Sequence, residues 1–150
     1  MADTLSVPDG FTRHAFRALD TDVALLLPES VAGHWRVAAH VFVQWESVFS
    51  RSESRSEIAF VNGNAGYATR VSPLFGYVTA RALQAAEASD GVFDPTTGTV
   101  PGSWRQIRLV GDEITVPAGV ELDYRGIATG MAATVSTSAN CSVVRMASPR

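Results

Sequence analysis

Two punctuation marks, Ser72-Pro73 and Asp90-Gly91, bracket a helix and so constrain the middle of this chain more than any other feature. Serine caps helix N-termini, and proline is tolerated at the first helical position because its missing N–H would have no partner there. Leu74, Phe75, Val78, Ala82, Ala85 and Ala86 then recur on one helical face. Asp90-Gly91 ends the run, as glycine does where the chain must turn left-handed. Such a helix buries its apolar stripe against other elements, and the flanking segments supply them.

Upstream, His14–Ala18 and Asp22–Leu27 are rich in apolar and β-branched residues and read as a strand pair ended by Pro28. Ser30 is the expected N-cap of a first long helix. Val31, Trp35, Ala38, Val41 or Phe42, Trp45, and Val48 or Phe49 lie along its buried face. Trp35 and Trp45 are read as core. Residues 50–57 alternate hydroxyl and charged groups and read as a solvated loop, followed by the turn Asn62-Gly63-Asn64-Ala65-Gly66. Downstream of a loop over 93–102, Ile107–Val110 and Glu113–Val116 form a hairpin around Gly111-Asp112. Val120–Asp123 alternates like a third short strand, and helical character resumes near Ala128. This order predicts an α+β fold, antiparallel strands with two main helices. The pattern fades at Ala133. Residues 1–133 are read as the domain. Residues 134–150, rich in Ser, Thr and Ala and without an acidic residue, are read as an atypical tail. That tail is expected to be disordered or poorly packed, as a reading-frame or truncation product would be.

Composition closes off several function classes. A 150-residue chain with 46% apolar residues is long enough for one domain with its own core. Twelve basic against fifteen acidic residues give a net charge of −3, which argues against a nucleic-acid binder working by bulk charge. Every basic residue is arginine, read as a coding bias rather than a phosphate preference. Cys141 alone can form neither an internal disulfide nor a cysteine-based zinc cluster. No export signal and no membrane-spanning run is legible, so a cytoplasmic location without membrane partners is expected. His14, His34 and His40 lack metal-ligand spacing, and no phosphate-loop or nucleophile-elbow pattern occurs.

What remains is a set of loops rich in small, hydroxyl and acidic residues: Leu19-Asp20-Thr21, Phe49-Ser50-Arg51-Ser52, Ser56-Glu57-Ile58, Asn62 to Gly66, Val71-Ser72, Gly91 to Thr96, and Leu122 to Thr134. Glycine beside a helix start can turn backbone N–H groups toward an anion such as a pyrophosphate. In order and spacing these segments resemble the FAD:protein FMN transferase family, the ApbE-like flavin transferases, from Ala15 to about Ala133. Gly91-Val92-Phe93-Asp94-Pro95-Thr96 matches the family's Gly-x-Phe-Asp-Pro-Thr in full. The resemblance covers the amino-terminal half of that family.

The resemblance implies a transferase in which a Thr hydroxyl of an acceptor protein attacks the FMN phosphorus of FAD, with AMP leaving and Mg²⁺ assisting. It places FAD contacts at Leu19, Ser52, Val92, Phe93, Asp94 and Thr129, and a metal-binding backbone carbonyl at Ala132. It names no catalytic residue here, because family members are longer and their carboxy-terminal half supplies the other metal ligands and the candidate base. Several positions depart from the family pattern. Leu19 stands for its Met, Asp20 and Arg125 for glycines, Ser52 for an aromatic, Thr129 for Lys, and Thr134 for Asp. The competing readings are a flavin- or nucleotide-binding module without catalysis, and a gene fragment without function.

Overall fold

The computed structural model describes residues 7–97, 100–138 and 144–147. The chain divides into two compact units, Met1–Trp45 with Thr129–Arg150, and Glu46–Ala128.

In the first unit, β1 (Phe11–Ala18) and β2 (Thr21–Pro28) pair antiparallel from Phe11↔Pro28 to Ala18↔Thr21. Only Leu19 and Asp20 join them, with φ of 52° and 60°. Both lie in the left-handed region, the geometry a two-residue hairpin turn needs to match the twist of its strands. Val23, Leu25 and Leu27 of β2 are buried in strict alternation, so one face of the hairpin carries the core. Phe16 meets Phe42 edge to face at 5.4 Å, and His14 stacks on Trp35 at 5.1 Å. β8 (Val144–Ala147) completes the sheet in the order β1-β2-β8, pairing antiparallel with Asp22–Leu25.

The first long helix starts differently from expectation. Glu29–His34 forms a 3₁₀ turn with Ser30 inside it, and α1 runs Trp35–Phe49. β2 continues to Pro28, and the Glu29 amide donates to the Gly10 carbonyl at 2.9 Å, so the chain leaves the hairpin in a tight turn before a regular helix can begin. Burial also settles the two open positions of the stripe: Phe42 and Phe49 are buried with Ala38 and Trp45.

In the second unit, α3 (Pro73–Ala88) has the expected punctuation: the Ser72 hydroxyl accepts from the Phe75 amide at 3.2 Å. Its far end turns through Asp90 (φ 49°) and Gly91 (φ 80°), and the Gly91 amide donates to the Ala86 carbonyl at 2.8 Å. The segment read as a loop holds a helix, α2 (Glu57–Gly63), capped by Ser56 and burying Ile58 and Val61. β3 (Ala68–Arg70), β5 (Arg108–Val110) and β6 (Glu113–Thr115) form a sheet ordered β3-β6-β5. β4 (Thr96–Thr97) pairs with β7 (Glu121–Leu122), and Ser103–Gln106 makes a 3₁₀ turn between β4 and β5. Phe49, Phe75 and Tyr124 form a ring cluster with centroids 5.6 to 6.2 Å apart.

The α+β expectation with antiparallel strands therefore holds. α4 runs Arg125–Ser138, through the expected domain boundary at residue 133. Of the expected tail, residues 139–143 and 148–150 lie outside the described residues. No helix among the described residues is long and apolar enough to cross a membrane.

Candidate functional site

Of the loops singled out in the sequence, those of Arg51, Asn62 and Gly91–Thr96 meet within the Glu46–Ala128 unit, and β7 is where they join. Asn62, at the end of α2, uses its side-chain amide as a strand would use its backbone. Its Nδ2 donates to the Leu122 carbonyl at 3.1 Å, and its Oδ1 accepts from the Leu122 amide at 2.7 Å. On the other side of β7, Thr96 pairs with Leu122, and the Asp123 amide donates to the Pro95 carbonyl at 2.8 Å. The loop before α2 attaches through Arg51, whose Nη2 reaches Glu121 Oε2 at 2.6 Å and whose Nη1 reaches Asp123 Oδ2 at 3.3 Å. Three loops distant in sequence thus hang on three consecutive residues, Glu121, Leu122 and Asp123.

Asp123 is the most heavily used group of this cluster. Its Oδ1 accepts from the Arg125 amide at 3.1 Å and from Arg125 Nε at 3.0 Å, and its Oδ2 accepts from Arg125 Nη2 at 2.7 Å. Burial pushes its carboxyl up, but the Arg125 hydrogen bonds and the charges of Arg125 and Arg51 outweigh that and hold it below the usual carboxylate range. Arg51 and Arg125 against Glu121 and Asp123 sum to zero formal charge. The quartet therefore ties loops together and presents no net charge of its own to an anion. The Arg125 amide, at the start of α4, is among the groups it consumes.

Asp94 organises the Gly91–Thr96 loop in the same way. Its Oδ1 accepts from the Thr96 amide at 2.9 Å and hydroxyl at 2.5 Å, and its Oδ2 accepts from the Gly102 amide at 3.2 Å. Burial raises its pKa, and these bonds together with Arg105 lower it by more, so it too sits below the ordinary value. Val92 stands 91% exposed at the turn, and Phe93 is half-buried with its amide on the Ser89 hydroxyl. Ser52 is exposed and lies 3.0 Å, oxygen to oxygen, from the Ser50 hydroxyl. Two further motifs meet at Glu57, whose carboxylate takes the Ser72 amide at 2.5 Å and the Ser72 hydroxyl at 2.6 Å.

Ser52, Val92, Phe93 and Asp94 therefore sit on loops joined through β7. The other candidate residues belong to the first unit and are buried: Leu19 is 2% exposed, Thr129 7% and Ala132 0%. Ala132 lies within α4, and its carbonyl accepts the Ser136 hydroxyl at 2.8 Å. Among the described residues, no three His, Cys, Asp or Glu side chains come together as a metal-holding group. Helical position, an occupied carbonyl and the lack of convergent carboxylates do not fit a Mg²⁺ site, since that ion takes oxygen ligands in near-octahedral array.

Reading the sequence alone missed Arg51, Glu121 and Arg125 as a network, and α2 as a helix. Ser56-Glu57-Ile58 followed by Val61 was the signal for α2, an N-cap with an acidic first turn and an i, i+3 apolar pair. Nothing local signals the part of Arg51 in it, because its partners Glu121 and Asp123 lie about 70 residues away.

No curated protein matches the chain. Among solved structures, the ApbE protein of Thermotoga maritima matches with a TM-score of 0.78 at 20% identity, over 91% of this chain and 56% of that one. Pseudomonas stutzeri flavinyl transferase ApbE gives 0.70 at 15% identity, over 91% and 57%. The flavin transferase ApbE of Vibrio cholerae gives 0.72 at 13%, over 93% and 57%. The chain thus has their fold over little more than half of their length. The family profile described as ApbE matches residues 19–118, which takes in α1, α2, α3, the Gly91–Thr96 loop and the β5–β6 hairpin, and the chain belongs to the ApbE family.

Proposed function

We propose that this chain is the FAD-binding part of an FAD:protein FMN transferase. The reaction it serves moves FMN from FAD to a threonine hydroxyl of an acceptor protein: the Thr oxygen bonds to the FMN phosphorus, the phosphoanhydride bond breaks, and AMP leaves. Family membership supports this reading, and one observation carries it. The Gly91–Thr96 loop, braced by Asp94 and sewn to Leu122-Asp123, leaves Val92 exposed and Phe93 half-exposed, and the loop of Ser52 is tied through Arg51 to Glu121 and Asp123. On this reading Ser52, Val92, Phe93 and Asp94 are the FAD contacts of the Glu46–Ala128 unit, and Leu19 and Thr129 are contacts that the family resemblance alone implies. A cytoplasmic location goes with it.

The second reading is a flavin-binding module that does not transfer FMN. The donor set favours it, because Mg²⁺ chemistry needs oxygens that the described residues do not bring together, and no step is assigned to a metal held at Ala132. FAD titration followed by flavin fluorescence, with and without Mg²⁺, tests the binding claim. We expect binding weaker than micromolar that tightens less than about tenfold, or ~1.4 kcal/mol, when Mg²⁺ is added. Tighter, strongly metal-dependent binding contradicts the donor-set argument. Mass spectrometry of a Thr-containing acceptor incubated with the chain, FAD and Mg²⁺ separates the two readings: covalent flavin above the no-protein control supports transfer, and none supports the module.

A further inference from the structure

Trp104 stands in the 3₁₀ turn Ser103–Gln106 and is 8% exposed, yet its indole Nε1–H has no acceptor among the described residues. Buried donors in native folds are nearly always paired, so an orphan of this kind calls for a partner. The neighbour is informative. A Cβ built on Gly91 would lie 3.4 Å from Nε1, so the indole N–H lies under the first residue of the Gly91–Thr96 loop.

The loop's own groups are committed elsewhere. The Gly91 amide goes to the Ala86 carbonyl, the Val92 amide to the Ser89 carbonyl, and the Phe93 amide to the Ser89 hydroxyl. The indole is also held in place. The Arg105 guanidinium lies 4.4 Å from the indole centroid and reaches Asp90, the residue before Gly91, at 3.3 Å. The Ser103 hydroxyl is fixed on the Val100 carbonyl at 2.6 Å. A donor-only, uncharged N–H on a fixed ring suits a neutral acceptor such as a heterocycle carbonyl or ring nitrogen.

We propose that Trp104 Nε1–H is the hydrogen-bond donor that the Gly91–Thr96 loop offers to a ring acceptor of its bound nucleotide, which makes Trp104 a specificity-determining residue. The inference rests on the reading that this loop holds FAD. Gly91 presents no side chain over the indole nitrogen, and that is the side from which the acceptor approaches. Flavin and adenine rings both carry such acceptors, and the test separates them.

The full chain, labelled with ¹⁵N at the indoles of its three tryptophans, is titrated with FAD, FMN and AMP while the indole N–H resonances are followed. Trp104→Phe assigns the signal, or Trp35→Phe and Trp45→Phe do so if that variant does not fold. We expect FAD to move the Trp104 proton downfield, as a new hydrogen bond does, with Trp35 and Trp45 unmoved. FMN reproduces the shift if the flavin supplies the acceptor, and AMP does if adenine supplies it. Trp104→Phe keeps the packing and loses the N–H, and it weakens FAD binding about tenfold. FAD saturation with the Trp104 proton unmoved, or equal affinity of a folded Trp104→Phe, overturns the inference and leaves FAD binding standing. A ligand-free Trp104 proton already downfield and slow to exchange shows a resident water partner and overturns it too. A wild-type chain that binds none of the three ligands overturns this inference together with the proposed function.

Discussion

The two units treat their motif residues in opposite ways. In Glu46–Ala128 the polar side chains of the motifs are spent on the fold: Asn62 on Leu122, Glu57 on Ser72, Asp94 on Thr96 and Gly102, Asp123 on Arg51 and Arg125. In the other unit the candidate positions are buried, with Leu19 held in a left-handed turn and Ala132 inside a helix. The contrast shows that a polar motif residue on a loop need not touch ligand to matter. Each such bond fixes a loop that backbone propensity alone leaves free, while the hairpin unit gets its order from alternation and register. Losing a polar side chain should therefore hurt the first kind of region far more than the second.

Asn62→Ala is the strongest test of that difference. It leaves the Leu122 amide and carbonyl without their partner, and Leu122 is fully buried. At about 1–3 kcal/mol for each unsatisfied group, a loss of roughly 2–4 kcal/mol is expected in urea unfolding, and a loss below 1 would break the comparison. Acid comes next. The carboxyls of Asp94 and Asp123 have folded pKa values held below their unfolded ones. Their contribution is thus fully present above the unfolded value of about 3.9 and is lost as pH falls through the lower folded value. The urea midpoint should drop over that window, and less so in a chain carrying Asp94→Asn and Asp123→Asn.

Ser72→Ala removes both an N-cap and a donor to Glu57, and about 1–2 kcal/mol should go with it by the same measurement. Ser136→Ala, in α4, is the counterpart from the other unit. The Ser136 hydroxyl only back-bonds to a carbonyl already within a helix, and Ala is the better helix former, so a change within about ±0.5 kcal/mol is expected. Equal losses for Ser72→Ala and Ser136→Ala would erase the distinction between the regions.

Local chemistry determined the β1–β2 hairpin, the Ser72-Pro73 and Asp90-Gly91 ends of α3, and the turn at Gly111-Asp112. Each rests on residues within a few positions of one another, where caps, φ preferences and period suffice. The order of the motifs was likewise enough to place the chain in its family. Tertiary structure alone decided which of Val41 or Phe42 turns inward and that the first helix opens as a 3₁₀ turn. It also decided that Asn62 serves β7, and that Arg51 and Arg125 close on one carboxylate. Contacts across 60 to 72 residues leave no periodicity in the sequence, because an arginine written beside a serine reads as solvated until the chain brings a half-buried acid to it.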